Sequence, residues 1–380
     1  MLQSIEVRWP DLRERVATLI TPERVYRYLQ CIGDVYAPSQ TVPWTRGPVV
    51  EQLLHEDGLL GLPTVHYSSN YRGTGNPALL LGGDLPDKQV WLMSHLDTVS
   101  YLVEPPVRGL YPLTPVCYHL ATGERRGLAL EFCQGRGMVP VARGVITSRA
   151  ERIEFRPDHP VELRAGHRVV FESQMQWDRS TGIVEGLLDD AGGAAACLVA
   201  AGVLAHYPVE VLVSLADEEE APPGAGNQTF SRGGKRLTQH FAAPQLAVVV
   251  DSHVTGDPAH AEPRDFRMGD GASFTEKASG ARGGFVSPPL MALQRCLAAE
   301  LGAAGLVVLR ENAGGYVPRS ECVNAIERTP NIIVAGFLNE NRHFDSGPPR
   351  GHIGDLTNVA RALVYYTLLI GTPEWTQLFG

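Results

Sequence analysis

The sequence predicts an α/β fold, with a mixed central sheet covered by helices on both faces and a small inserted all-β unit. Short apolar strands alternate with helical patterns over most of the chain. The strand candidates VEVLVSLA and LAVVVD are almost continuously apolar, which is typical of strands buried on both faces. Residues 101–185 carry seven prolines between short β-like runs and show no long helical pattern.

The elements before the insert begin with helices. Residues 11–30 are charged and amphipathic and predict a first helix, and residues 49–59 predict a second. KQVWLMSH, at 88–95, follows Gly and Pro residues and predicts the first strand. The insert comes next, so we expect an α/β domain at 1–100 and 186–380 and a β-rich domain at 101–185.

The elements after the insert return to alternation. A run of small residues that follows two aspartates predicts a helix, because Asp is a good N-cap. Apolar runs then predict strands, and longer amphipathic runs predict helices. In order, these are a helix at 191–207, strands at 209–216 and 246–251, a helix at 287–305, a strand at 331–338 and a helix at 355–371.

Composition excludes several classes of protein. The 380 residues carry a net charge of −9 and no Lys/Arg run, so we expect neither a nucleic-acid nor a membrane partner. The N-terminus lacks the apolar core of a signal peptide, and no apolar run is long enough to span a membrane. Six scattered cysteines without a C-x-x-C pair favour free thiols. We therefore expect a cytoplasmic protein.

Acidic and imidazole side chains collect at the polar ends of the predicted strands. In open α/β sheets, functional groups lie at the carboxyl ends of the strands. One Asp at 189–190 is explained as a helix cap, but the second is not. The candidates are His95 and Asp97, Asp189 and Asp190, the run Asp217 to Glu220, Asp251 and His253, and His343 and Asp345.

Imidazole and carboxylate groups together are the ligands that Zn, Mn and Co prefer. A cation would let two adjacent carboxylates stay ionised, and one carboxylate can bridge two ions about 3.5–4 Å apart. Each feature alone also has a bland explanation, such as a helix cap, a solvated acidic loop or a core histidine. Their joint occurrence near successive strand ends favours a metal site over chance.

The order of these motifs resembles the co-catalytic zinc-peptidase clan. The motifs are H-x-D at 95–97, D-D-x-x-G at 189–193, E-E at 218–219 before Gly224-Ala225, the strand-end Asp251 and the late His343. The resemblance implies two divalent ions, Zn or else Co or Mn. It also implies that Asp97 orients a ligand histidine and that Glu218 is the general base. The ligands implied by the resemblance are His95, Asp189, Glu219, Asp251 and His343.

Two assignments keep an alternative. The acidic run also allows the pair Glu219–Glu220, although the following Gly-Ala favours the pair Glu218–Glu219. His352 is a second candidate for the last ligand, although the distance to the final helix favours His343.

The position of the insert distinguishes branches of the clan. It lies in the 94-residue interval between His95 and Asp189 (189 − 95 = 94). This layout, and the segment FRMGDGASF at 266–274, resemble the glutamyl and tetrahedral aminopeptidase family. The resemblance implies that the inserted domain drives a homo-oligomer.

The expected function is therefore a dinuclear-metal aminopeptidase that hydrolyses N-terminal residues of small peptides. The segment NRHFDSG around the last ligand departs from the family pattern and keeps a second hypothesis open, a metal-dependent deacylase acting on a non-peptide amide. A third hypothesis is a catalytically silent relative that acts as an assembly module. The complete ligand set argues against this third hypothesis.

Overall fold

The computed structural model describes residues 1–116, 122–149, 152–219, 230–254, 266–312 and 316–380. Within these ranges the α-helices are α1 (Leu2–Arg8), α2 (Leu12–Leu19), α3 (Pro22–Gly33), α4 (Arg46–Glu56), α5 (Ala191–Leu204), α6 (Arg232–Thr238), α7 (Pro288–Ala303), α8 (Cys322–Arg328), α9 (Ile353–Leu369) and α10 (Pro373–Phe379).

The strands fall on both sides of the insert. They are β1 (Val65–Ser68), β2 (Ala78–Leu81), β3 (Val90–His95), β4 (Ser100–Val103), β5 (Tyr111–Val116), β6 (Gly123–Cys133), β7 (Gly137–Arg149), β8 (Arg152–Pro157), β9 (Arg168–Phe171), β10 (Gln176–Trp177), β11 (Ile183–Glu185), β12 (Val211–Ala216), β13 (Leu246–Val254), β14 (Ala272–Thr275), β15 (Lys277–Ala278), β16 (Gly284–Phe285), β17 (Leu309–Glu311), β18 (Ile332–Asn339) and β19 (Arg350–His352).

A mixed eight-stranded sheet in the order β1-β2-β12-β3-β13-β18-β14-β17 forms the centre of the molecule. Its four middle strands, β12, β3, β13 and β18, are mutually parallel. β2 and β14 flank this group and run antiparallel to their neighbours β12 and β18. The four parallel strands are buried along nearly their whole length, which explains why their sequences are continuous apolar runs.

Helices cover both faces of this sheet. α5 packs against Phe337, because a Cβ placed on Gly192 of α5 would lie 2.6 Å from the ring of Phe337. α8 lies on the side of Ile332, because a Cβ placed on Gly284 would lie 3.0 Å from Ile332 and 3.4 Å from Cys322 of α8. Phe337 and Ile332 are an odd number of residues apart on β18, so they point to opposite faces. α5 and α8 therefore lie on opposite sides. Every residue of α5 is buried, in keeping with its composition of small and apolar residues.

The inserted unit is a closed barrel with the strand order β4-β5-β8-β7-β6-β9. All of its strand pairs are antiparallel. Buried side chains that include Tyr101, Ile146, Phe155 and Phe171 fill the interior. A Cβ at Gly144 would lie 2.3 Å from the Arg156 carbonyl oxygen, so the close approach of β7 and β8 requires glycine there. The fold class predicted from the sequence is confirmed.

Some elements differ from the prediction. The helix predicted at 11–30 is two helices, because Thr21 caps α3 by accepting the Arg24 N–H at 3.2 Å and Pro22 starts it. Proline has no backbone N–H, so an uninterrupted helix would be weakened there. The barrel strands end at Phe171, and β11 pairs instead with β19. The domain limits at 100 and 186 remain predictions. Among the described residues, no helix combines the length and apolar character needed to cross a bilayer.

Candidate metal centre

The candidate site lies where the four parallel strands end. Their carboxyl ends meet at one edge of the sheet. His95 ends β3 and is in register with Ala216, the last residue of β12. Asp251 on β13 is in register with Gly336 on β18. The sheet therefore brings together side chains that are far apart in the sequence.

Three of the predicted ligands form a compact cluster. His95, Asp189 and Asp251 each offer one ligand atom, and these atoms lie within 4.8 Å of one another. The three residues are buried, at 6%, 6% and 2% exposure. One imidazole and two carboxylates in a buried pocket are a suitable ligand set for Zn, Mn or Co. Burying two carboxylates next to each other is costly unless a cation compensates their charge.

Asp97 contacts the ring of His95. Its Oδ1 lies 3.2 Å from Nδ1 of His95, so a proton on Nδ1 leaves Nε2 free to act as a ligand atom. The Asp97 carboxylate also accepts the backbone N–H groups of Glu218 at 2.7 Å and Glu219 at 3.1 Å, and it accepts the Ser39 hydroxyl. This single carboxylate therefore connects the end of β3 to the loop that follows β12.

The two adjacent aspartates have different roles, which explains why the sequence contains both. Asp190 caps α5, because its side chain accepts the Gly193 N–H at 3.0 Å and the Ser94 hydroxyl. Asp189 faces the cluster, with Oδ1 lying 3.3 Å from Nε2 of His95. The peptide bond between the two aspartates is cis.

The two glutamates after β12 point in different directions. Oε2 of Glu218 lies 3.7 Å from Nε2 of His95, next to the cluster. The Glu219 carboxylate instead forms an ion pair with Arg236 and lies 3.6 Å from Nε of Arg232. Glu219 has a left-handed backbone with a φ of 50°, so the chain turns at this residue. Glu220, the second member of the alternative pair, lies outside the described residues.

The last predicted ligand is close to Asp189. Nε2 of His343 lies 3.0 Å from Oδ2 of Asp189. Arg342, one residue earlier, donates to the same oxygen at 3.1 Å. The alternative residue, His352, is the N-cap of α9, and its Nδ1 accepts the Gly354 N–H at 3.1 Å. This capping role accounts for His352 without a metal.

The electrostatics of the cluster reflect burial and close charges. Burial raises the pKa of Asp251 to about 7, with a further contribution from the negative charge of Asp189. Burial also opposes ionisation of Asp189, but Arg342 and the two histidines lower the pKa of Asp189 well below its usual value. Burial works against the charged form of His95, yet the carboxylates of Glu218 and Asp189 raise its pKa. The carboxylates of Glu218 and Asp189 therefore favour a positive charge at the position of His95.

Sequence reasoning missed the cations next to the predicted ligands. Arg342 contacts Asp189, and Arg236 contacts Glu219. Arg342 directly precedes a candidate ligand, so its position was visible in the sequence. No spacing rule links Arg236 on α6 to a carboxylate 17 residues earlier, because the contact depends on how α6 packs beside β12.

Comparison with known proteins identifies the fold. No protein-family profile matches the sequence, and no curated relative was found for it. Among solved structures, it resembles a TET aminopeptidase from Thaumarchaeota archaeon SCGC AB-539-E09, with a TM-score of 0.71, 15% identity, and coverage of 94% of this chain and 99% of that one. The Pyrococcus horikoshii TET1 peptidase gives a TM-score of 0.65 at 16% identity over 90% of this chain and 99% of that one.

A third similar structure carries a different functional name. An endoglucanase from Thermotoga maritima gives a TM-score of 0.61 at 15% identity, over 93% of this chain and 99% of that one. The chain therefore shares its fold with the TET aminopeptidases among these structures. Identities this low establish the fold, and the activity has to be argued from the site.

Proposed function

We propose that this protein is a metal-dependent aminopeptidase that hydrolyses the N-terminal residues of small peptides. The observation that carries the proposal is the buried cluster of His95, Asp189 and Asp251, whose ligand atoms lie within 4.8 Å of one another. The fold shared with aminopeptidases supports the proposal. Zn is the proposed ion, with Co and Mn as alternatives, because the ligands combine one imidazole with two carboxylates.

The site residues fit such an ion. Asp97 holds Nδ1 of His95, so Nε2 is available, and both carboxylates are within reach of the same point. When bound, a divalent ion would lower the pKa of water towards about 7 and polarise a carbonyl group. The chain itself excludes bulk water from the ligand atoms, since all three ligand residues are almost fully buried.

Glu218 is the proposed general base. Its Oε2 lies 3.7 Å from Nε2 of His95, so the carboxylate borders the ligand cluster without belonging to it. From this position it can accept a proton from the attacking water and deliver it to the leaving amine. The ion pair between Glu219 and Arg236 supports this choice over the alternative pair, in which Glu219 would be the base.

The resemblance implies a second ion, held by Asp189, Glu219 and His343. His343 is close enough to Asp189 to share an ion with it, since Nε2 of His343 lies 3.0 Å from Oδ2 of Asp189. The Glu219 carboxylate does not fit this role as the chain is arranged, because Arg236 and Arg232 are its neighbours. Its assignment as a ligand stays a prediction.

A substrate panel with metal control tests the proposed function. The protein is stripped with a chelator, reloaded with Zn, Co or Mn, and assayed on aminoacyl amides, N-acyl amides and a soluble β-glucan. We expect metal-dependent cleavage of aminoacyl amides. Cleavage confined to N-acyl amides would identify a deacylase instead, and cleavage confined to the glucan would identify a glycosidase. Inactivity with every metal would favour an assembly module.

The variant Glu218→Gln tests the proposed base. It keeps the size of the side chain and removes its basicity, so we expect bound metal to stay and turnover to fall by about 10²–10⁴-fold. Metal content by mass spectrometry and kcat on the best substrate are the measurements. Glu311→Gln is the matched control, because Glu311 pairs with Arg295 away from the site. Normal turnover by Glu218→Gln would remove this residue from the role.

We also propose that the protein is a homo-oligomer. The Pyrococcus horikoshii TET1 peptidase, which has a similar fold, can assemble into a tetrahedron or a large octahedral shell. In this chain a closed six-stranded barrel is inserted between β3 and α5, where the resemblance implies the domain that drives assembly. Light scattering coupled to size exclusion measures the assembly directly, and a mass of 41.3 kDa in solution would contradict the proposal.

A further inference from the structure

The two oxygens of Asp189 face different surroundings. Oδ1 lies 3.3 Å from Nε2 of His95, on the side of the proposed ion. Oδ2 lies 3.0 Å from Nε2 of His343 and 3.1 Å from a guanidinium nitrogen of Arg342. A second ion bridged by Asp189 would have to bind Oδ2. That oxygen already has a full positive charge beside it, because arginine stays protonated in proteins.

The burial of Arg342 strengthens the interaction of its positive charge with Asp189. Its side chain is 9% exposed and that of Asp189 is 6% exposed, so solvent screens the pair only weakly. A divalent ion on Oδ2 would share this confined space with the guanidinium, and the two cations would repel each other. Unlike a lysine or histidine, arginine cannot relieve the repulsion by losing its proton.

Glu219, the third ligand of the implied second site, also has its negative charge balanced by arginine side chains. Both oxygens of the Glu219 carboxylate have partners: Oε1 accepts from Arg236, and Oε2 lies 3.6 Å from Nε of Arg232 and accepts from Gln40 at 3.5 Å. The Glu219 side chain is only 3% exposed. Binding of a second ion would have to displace Arg236, whose side chain is 40% exposed, from the buried Glu219 carboxylate.

We propose that this site takes one divalent ion, at His95, Asp189 and Asp251, and that the guanidinium of Arg342 supplies the second positive charge on Asp189. This inference rests on the proposed metal-dependent function, and it replaces the second ion of the co-catalytic arrangement by a side chain. The bridging role of Asp189 is preserved, since each of its oxygens still faces one cation. His343 then acts by positioning Asp189 instead of by binding metal.

Metal stoichiometry tests the inference without an activity assay. The chelated protein is titrated with Mn²⁺ by calorimetry, and the bound ion is examined by electron paramagnetic resonance. We expect one ion per chain and the spectrum of an isolated Mn²⁺. Two ions per chain with a spin-coupled spectrum would overturn the inference and leave the metal-dependent function standing. Failure to bind Mn²⁺, and Zn²⁺ in a parallel titration, would overturn both.

Variants test whether Arg342 is the reason that the chain binds one ion instead of two. We expect the double variant Arg342→Gln/Arg236→Gln to bind two ions per chain, because Oδ2 of Asp189 and Oε1 of Glu219 both lose their arginine partners. Arg350→Gln is the matched control and should still bind one, since Arg350 pairs with Glu185 at 2.9 Å instead of with a site carboxylate. A folded double variant that binds a single ion would overturn the role of Arg342. If the double variant does not fold, the stoichiometry and spectrum of the wild type decide.

Discussion

Asp97 shows how one buried side chain organises the whole site. It touches none of the proposed reacting atoms, yet it contacts the His95 ring and the backbone N–H groups of both glutamates. Burial disfavours the charged form, but the hydrogen bonds and charge of His95 outweigh it and lower the pKa of Asp97. The carboxylate therefore stays ionised and can hold these three partners together with the Ser39 hydroxyl.

The variant Asp97→Asn is expected to weaken metal binding. An amide has one accepting oxygen instead of two, so it cannot hold both backbone N–H groups and the Nδ1 proton of His95. We expect the Kd of the first ion to rise by about 10–100-fold, measured by competition with a fluorescent chelator.

Asp158→Asn is the control for this experiment. Asp158 pairs with Arg126 on the barrel surface, so its variant should bind metal as the wild type does. An unchanged Kd in Asp97→Asn would show that His95 is oriented by other contacts.

At the level of elements, the barrel holds the loop that carries His343. Arg125 of β6 donates to the backbone carbonyls of Phe344 and Asp345. The ring of Phe344 stacks on Phe171 of β9 with the centroids 4.5 Å apart, and both side chains belong to the core of the barrel. The inserted unit thereby positions the residues that contact Asp189.

The variant Arg125→Met is expected to loosen this loop. Methionine keeps an unbranched apolar chain but cannot donate to the two carbonyls, so Arg342 and His343 lose part of their preorganisation. We expect kcat/KM and metal affinity to fall on the order of 10-fold, which is the lower end of the usual effect of removing a supporting contact. The thermal unfolding midpoint, measured in parallel, should change little.

The neighbouring residue offers a matched control. Arg126 lies on the same strand but pairs with Asp158 and Glu172, so Arg126→Met removes an equal charge without touching the loop. Equal losses in both variants would point to the overall charge of the barrel instead of the loop contact.

Across the whole molecule, the site opposes the stability of the metal-free fold. Burial raises the pKa values of Asp251 on β13 and of Glu321, the residue before α8, to about 7. The surrounding core of apolar strands and helices has to compensate for this cost. Functional sites commonly lower the free energy of unfolding in this way, because the groups that bind ligand or react are not the ones that would stabilise the fold most.

Metal binding and the variant Asp251→Asn should therefore have different effects on the free energy of unfolding. At a free metal concentration 100 times the Kd, binding adds about 2.7 kcal/mol to the free energy of unfolding. We expect the wild-type unfolding midpoint to rise by a few degrees with Zn²⁺ and to return with a chelator. Asp251→Asn relieves the repulsion with Asp189, so its metal-free form should match or exceed the wild type, and its midpoint should not respond to Zn²⁺. A variant that responds as the wild type does would contradict the ligand assignment.

The sequence alone determined the fold class and pointed to the residues that form the buried cluster. Apolar runs predicted the parallel strands because strands buried on both faces need apolar side chains throughout. Polar residues directly after those runs predicted His95 and Asp251, because the carboxyl ends of parallel strands share an edge. Both inferences depend on local patterns and on one general rule of sheet topology, which a single sequence is enough to show.

Only the tertiary structure decided which charges meet. Both Glu218 and Glu219 follow β12, but the turn at Glu219 sends one carboxylate to His95 and the other to Arg236. The contact between Arg342 and Asp189 likewise joins residues 153 positions apart. Such pairings depend on loop conformation and on helix packing. No periodicity in the sequence predicts these ion pairs, because an ion pair requires only that two charged groups lie close together in space, at any separation along the chain.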